Sequence, residues 1–326
     1  MSRLHAKPGA RGHSVGDRLL LEGFKQAMKV IREPHEMQQT ALTLRDKAIR
    51  IGLVPTMGAF HDGHVSLMRR AKQENDVCVV SLFVNPLQFN DPADLEHYPR
   101  NEAADLAIAR SVGVDILFMP SVAAMYPPDA QTFVEVTRVS QPLCGGRRPG
   151  HFRGVATVVA KLLMITQPRR VYFGLKDYQQ CRVIAQMARD LHFPPDLVFC
   201  PTVREPDGLA MSSRNIRLSP EDRRAAVVLP RALELAQDCF AAGETNPTVI
   251  QARVRERLQA EPRARIEYVE VVDAQTLEPI TAITQPALVA LAVWFGDVRL
   301  IDSVVLTPPK PEPPPTPDLL DISDVP

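Results

Sequence analysis

Between residues 51 and 203 the chain alternates short apolar runs with stretches of helical periodicity, and this alternation restricts the fold more than any other feature. IGLVPTM (51–57), VCVVSLFVN (77–85), VDILFMP (114–120), RRVYFG (169–174) and DLVFCPTV (196–203) read as five buried strands. Between them, AADLAIARSVG (103–113), GVATVVAKLLMITQ (154–167) and DYQQCRVIAQMARDLH (177–192) repeat their apolar residues at helical spacing. The stretch LLLEGFKQAMKVIREPHEMQQTALTLRDKAIR ahead of the first strand reads the same way. Strands apolar along their whole length and followed by helices predict a parallel sheet covered on both faces. The expected class is α/β, a Rossmann-like doubly wound sheet.

After about residue 202 the texture changes. SPEDRRAAVVLPRALELAQDCFAAG (219–243) and NPTVIQARVRERLQA read as helices, and IEYVEVVD, ALVALAVWF and RLIDSVVL as short strands, which predicts a second, smaller α+β domain. The expected division is a flexible extension (1–27), a Rossmann-like domain (28–201), a smaller lid domain (202–306) and a proline-rich disordered tail (307–326). The extension lacks acidic residues before Asp17, a trait it shares with organelle transit segments, but it has no apolar core of the secretory kind.

Charge and cysteine usage exclude several classes. Lys+Arg and Asp+Glu balance at 38 each, so no global field favours nucleic acid or an anionic membrane, and an anion site must be built locally. Five cysteines without a C-x-x-C pair indicate neither a disulfide framework nor a zinc site, and the expected metal-ligand set is empty. No apolar stretch reaches the ~18 residues a membrane helix needs. A soluble cytoplasmic protein is expected.

In an open α/β sheet, ligands bind beyond the carboxyl ends of the strands. The unusual polar motifs all fall there: TMGAFHDGH, NPLQF, GLKDYQQ and REPDGLAMSSRN. Gly58 and Gly63 have the spacing of a phosphate loop, but His64 and Val65 stand where that loop needs Lys and Ser or Thr. His61 and His64 instead share one face of a helix start, beside unpaired N–H groups that attract phosphate. A lone histidine there would more simply cap or pack. The glycine between them, useful for close backbone approach, favours a nucleoside triphosphate site. Ser212, Ser213 and Arg214 suit phosphates that must be held and released. Lys176 offers a flexible charge and Asp177 a carboxylate for ribose hydroxyls. Asn85, Gln88, Gln179 and Gln180 are neutral amides that fit a small polar substrate. CGGRRPGHFRGV (144–155) reads as a basic loop able to cover a bound anion.

Taken in order, PTMGAFHDGH, FVNPLQF, YPR, RRPGHFRGV, FGLKDYQQ, PTVRE, DGLAMSSRN and LIDS closely resemble the pantothenate synthetases, the pantoate–β-alanine ligases of the cytidylyltransferase-like superfamily. The match runs from about Met28 to Leu306. The resemblance implies condensation of pantoate with β-alanine, driven by ATP through a pantoyl adenylate, with Mg2+ arriving on the nucleotide and a homodimeric assembly. By position, it implies that Met57, Gly58, Ala59, Phe60, His61, Asp62, Gly63 and His64 hold ATP, with His64 as proton donor and His61 beside the α-phosphate. Gly174, Leu175, Lys176, Asp177 and Val203 would contact the nucleoside, and Lys176 with Met211, Ser212, Ser213 and Arg214 the phosphates. His64, His61, Lys176 and Arg214 are thus the expected catalytic groups. Gln88 and Gln180 would grip pantoate with Asn85 in support, and Gln88 would also meet β-alanine.

Two positions depart from the family pattern. Leu175 stands where Glu is usual, and Ala93-Asp94 replaces the common Glu-Asp pair, which weakens any role for acids in that loop. Two rivals remain: another H-x-G-H nucleotidyltransferase, which has no reason to carry the glutamines of FVNPLQF and DYQQ, and a nucleotide-binding module without turnover.

Overall fold

The computed structural model describes residues 27–309, so the expected extension up to residue 26 and the tail beyond residue 309 lie outside the described residues. Six strands form one parallel sheet: β1 (Lys29–Ile31), β2 (Ile51–Thr56), β3 (Val77–Leu82), β4 (Ile116–Phe118), β5 (Arg170–Gly174) and β6 (Asp196–Cys200). Their order is β1-β4-β3-β2-β5-β6, so the winding reverses between β2 and β5.

The main helices of this unit are α1 (Pro34–Asp46), α2 (Asp62–Glu74), α3 (Glu102–Val112), α4 (His151–Thr166) and α5 (Tyr178–Asp190). Helices α1, α4 and α5 cover one face, α2 and α3 the other. The side-chain period of two explains why the strands read as continuous apolar runs. Val77 and Val79 enter the core under α1 and α4, while Cys78 and Val80 enter the core under α2.

The structure corrects the expected strand count from five to six. The stretch before residue 50 is not one helix: Lys29–Ile31 pairs in parallel with Ile116–Phe118 as an edge strand. Helix α1 begins only at Pro34, preceded by Glu33 in extended conformation (φ −91°, ψ 124°), as a residue before proline prefers. The stretch 219–243 is likewise two helices, Pro220–Ala225 and α6 (Val228–Ala241). Pro230 falls in the first turn of α6, where a missing N–H costs nothing.

Residues after 260 form an antiparallel sheet, β7 (Arg265–Asp273), β8 (Ala287–Phe295) and β9 (Val298–Leu306), with β8 central. Val289, Leu291 and Val293 of β8 pack with α6 and α7 (Pro247–Gln259). Leu288, Ala290 and Ala292 point the other way, into the core shared with α4 and α5. The smaller sheet is therefore buried on both faces, one of them against the main unit.

Where β2 parts from β5 the sheet opens. Only Gly52 and Leu53 pair with Arg170 and Val171, whereas all six residues of β2 pair with β3. Pro55, which has no N–H to give a neighbour, lies in the unpaired half and lines the resulting crevice. That crevice sits at the carboxyl ends of the strands, at the switch point.

Candidate active site

The crevice has a volume of about 230 Å³ and is walled by the four strand-end loops. In the first loop, Ala59 and Phe60 donate their backbone N–H groups to the two carboxylate oxygens of Asp105, at 2.9 and 2.7 Å. Asp105 is buried on α3, so it fixes the turn from behind. A Cβ on Gly58 (φ +84°) would lie 2.8 Å from that carboxylate.

His61 then caps α2. Its Nδ1 accepts from the N–H of Gly63 at 3.1 Å, and Nδ1 of His64 accepts from the N–H of His61 at 3.4 Å. Backbone N–H groups can only donate, so both rings carry their hydrogen on Nε2. Burial, then the charge of Lys176, lowers the pKa of His61 to about 4. Burial, then His61, lowers that of His64 to about 3. The glycine of H-x-G-H has a steric reason: a Cβ there would meet the His61 ring at 2.8 Å. Capping and ligand binding are therefore compatible, since capping uses Nδ1 and leaves Nε2–H for a ligand.

In the second loop Asn85 is 1% exposed and has no group left over. Its Nδ2 donates to Gln88 Oε1 and to the Gly154 carbonyl, both at 3.1 Å, while Oδ1 accepts from Tyr126 Oη at 2.9 Å. It supports the pocket by orienting Gln88, whose Nε2 is turned toward Met57 Sδ at 3.1 Å. Gln180 also lines the crevice. Gln179 does not: its amide accepts from Cys144 N–H and donates to the carbonyls of Val139 and Pro142, holding the preceding loop in place.

From the third loop come Gly174, Lys176 and Asp177, with Lys176 Nζ 3.5 Å from Asp177 Oδ1. Burial opposes ionisation of Asp177, but the charges of Lys176 and Arg214 hold its pKa below the ordinary value. Leu175 packs, half-buried, against the edge of the hydrophobic core, so the residue found there in place of Glu serves packing. The fourth loop brings Val203, Met211, Ser212, Ser213 and Arg214 to the same wall. Of the expected site residues, Gly58, Ala59, Phe60, Asp62 and Leu175 do not line the crevice; the first three shape its turn.

Several lining residues were not singled out in the sequence. Tyr98 Oη lies 3.3 Å from Ser213 Oγ, and Arg148 and His151 come from the basic loop and the first turn of α4. Val155, Val158, Val159 and Leu162 recur at helical spacing along α4 and with Phe83 and Phe173 make an apolar floor. Their periodicity was legible, but not which cavity they would face. Asp94 proves more engaged than its reduced acidic context suggested. It accepts from Arg214 Nη2 at 2.8 Å and from Arg217 Nη1 at 3.2 Å. Burial raises its pKa, and Arg214 more than offsets this, leaving the carboxyl below its usual value.

A family model described as pantoate-beta-alanine ligase matches residues 29–305. The chain belongs to this family. That membership makes it a pantoate–β-alanine ligase, the activity its motifs implied. Among relatives named pantothenate synthetase, that of Thermotoga neapolitana is 50% identical over 279 residues, covering 86% of this chain and 100% of the relative. That of Roseiflexus sp. (strain RS-1) is 51% identical over 279 residues, 86% of this chain and 99% of the relative. The crystal structure of the Thermus thermophilus pantothenate synthetase is 42% identical with a TM-score of 0.81, covering 86% of this chain and 100% of that one. A Francisella tularensis pantoate-beta-alanine ligase, solved with β-γ ATP and β-alanine, is 37% identical with a TM-score of 0.72, covering 86% of this chain and 98% of that one. Among the described residues no helix is long and apolar enough to cross a membrane.

Proposed function

We propose that this crevice binds ATP, pantoate and β-alanine and joins the two acids in two displacements. First a pantoate carboxylate oxygen attacks the α-phosphorus, and the bond to the bridging oxygen of pyrophosphate breaks. Then the uncharged amine of β-alanine attacks the acyl carbon, AMP leaves, and the nitrogen loses a proton. The observation that carries this reading is convergence: triphosphate-type groups (His61, His64, Lys176, Ser212, Ser213, Arg214) and the amides of Gln88 and Gln180 line one crevice.

Each group has a physical task. Nε2–H of His61 and of His64 can donate to the charge that grows on the α-phosphate, and being uncharged they cost no burial of charge in the free enzyme. Lys176 and Arg214 hold the departing pyrophosphate, Arg214 through the Nη1 side that its fork on Asp94 leaves over. Gln88 and Gln180 grip the hydroxyls and carboxylate of pantoate, Gln88 also meets β-alanine, and the apolar floor of α4 suits the two methyl groups of pantoate. Met57 and the loop around Gly63, with Gly174, Asp177, Val203 and Met211, would hold the nucleoside and sugar.

Mg2+ is proposed as the companion of ATP. Asp177 is the one carboxylate among the described lining residues, and no group of three or more His, Cys, Asp or Glu side chains among the described residues could hold a metal. The ion would therefore be held mainly by phosphate oxygens and water, and would screen phosphate charge. We also assign residues 202–306 to a movable lid, as the left-handed Gly208 (φ +90°) in the hairpin between the two units would permit. The molecule is proposed to work as a cytoplasmic homodimer. Five buried, unpaired cysteines suit a reducing compartment. Sedimentation at micromolar concentration tests the assembly, and a purely monomeric species would refute it.

The direct test is AMP and pyrophosphate release from Mg-ATP with pantoate alone, then with both acids. Sustained AMP release that needs both acids is expected. Release indifferent to either acid would instead favour a different acceptor on the same nucleotide site.

A further inference from the structure

We propose that His151 is a positioning residue for pantoate, acting through the backbone carbonyl of Gln88; this rests on the reading of Gln88 as a pantoate-binding amide. The carbonyl of Gln88 accepts from His151 Nδ1 at 2.7 Å and from Arg148 Nη2 at 3.3 Å. A carbonyl can only accept, so His151 carries its hydrogen on Nδ1, the reverse of His61 and His64 across the same crevice. Its Nε2 then accepts from Arg148 Nη1 at 3.3 Å. His151 is 8% exposed, and its burial and the neighbouring guanidinium push its pKa down to about 3, so the neutral form persists at any working pH.

The same helix start grips the turn elsewhere. A Cβ on Gly154 would lie 2.3 Å from the Leu87 carbonyl oxygen and 2.7 Å from the Gln88 nitrogen, so α4 and the Pro86–Gln88 turn are in backbone contact. Asn85 Nδ2 closes the clamp on the Gly154 carbonyl and at the same time holds Gln88 Oε1. With carbonyl and Oε1 both fixed, the Gln88 amide is held with one N–H on Met57 Sδ and the other left over at the crevice wall. His151 and Gly154, one helical turn apart, thus set the aim of an amide they are remote from in sequence.

Side-chain chemistry supplies the discriminating variants. An Asn amide nitrogen sits near the place of His Nδ1 and can donate to the same carbonyl, whereas a Gln amide sits near Nε2 and cannot. H151Q is expected to raise KM for pantoate about tenfold or more, with KM for ATP within about twofold. H151N should restore KM for pantoate to within about threefold of the parent. A merely structural role would lower melting temperature and kcat together, without this split and without rescue by Asn. Q88A, assayed alongside, should raise KM for pantoate at least as much as H151Q, and the double variant should be no worse than Q88A alone.

A raised KM in Q88A with an unchanged one in H151Q would overturn the role of His151 by itself. An unchanged KM in Q88A would overturn the reading of Gln88, and the inference with it. Should H151Q not fold, H151N decides alone: a rise of about tenfold there means the Nδ1 hydrogen bond is not what aims Gln88.

Discussion

His61 and His64 cap each other's helix start: the backbone N–H of His61 donates to Nδ1 of His64 at 3.4 Å, and the two rings stand 4.1 Å apart between centroids. One structural bond thereby fixes the tautomer of a ring whose other nitrogen faces the crevice, so the capping and chemical readings of H-x-G-H describe two atoms of the same side chain.

Replacement of His64 separates those two atoms. His64→Ala should lower the rate of pyrophosphate release by about a hundredfold, the loss of one preorganised donor. The lost cap should cost only about 1 kcal/mol of stability. Rapid-quench measurement of release, with thermal unfolding in parallel, checks both; near-normal release in a folded variant would remove the assigned role.

Acid should destabilise the fold through these rings. His61 titrates at about 4 and His64 and His151 at about 3 in the folded state, against 6.5 for an ordinary imidazole. Above pH 6.5 both folded and unfolded chains carry neutral rings, and no difference arises. Below it the unfolded chain takes up protons the folded chain refuses, so stability falls as pH drops from about 6.5 toward 4. Melting temperature should fall as the pH is lowered across that window, and a flat profile would show that the rings protonate without penalty.

Arg214→Lys keeps the charge and loses the planar fork that engages both Asp94 oxygens, Nη2 at 2.8 Å and Nε at 3.4 Å. KM for ATP is expected to rise about tenfold, or about 1.4 kcal/mol. Initial rates across an ATP series decide this, and an unchanged KM would argue that charge alone suffices.

Asp302, 3% exposed in LIDS, accepts from Arg204 of PTVRE at 2.6 and 3.0 Å. This bidentate pair ties β9 to the chain just beyond β6. Arg204→Ala should cost about 3 kcal/mol by stranding the buried Asp302 carboxylate. Denaturant unfolding measures the loss, and a change under about 0.5 kcal/mol, the range of ordinary surface substitutions, would count against it.

The sequence by itself determined the parallel α/β unit, the second unit and the four loops that meet at the crevice, because strand and helix periods and strand-end motifs are written in windows of a few residues. It failed at Lys29–Ile31, whose three residues become a strand only because β4 offers an edge to pair with. Other decisions were made in the tertiary structure alone. Pro55 marks the opening only once β5 is seen to part from β2, and Leu175 packs against the core instead of lining the crevice. Asp94 meets two arginines more than a hundred residues away. The opposite tautomers of His64 and His151 follow from whether a backbone N–H or a backbone carbonyl lies opposite Nδ1, and only folding brings the His151 ring to the carbonyl of Gln88.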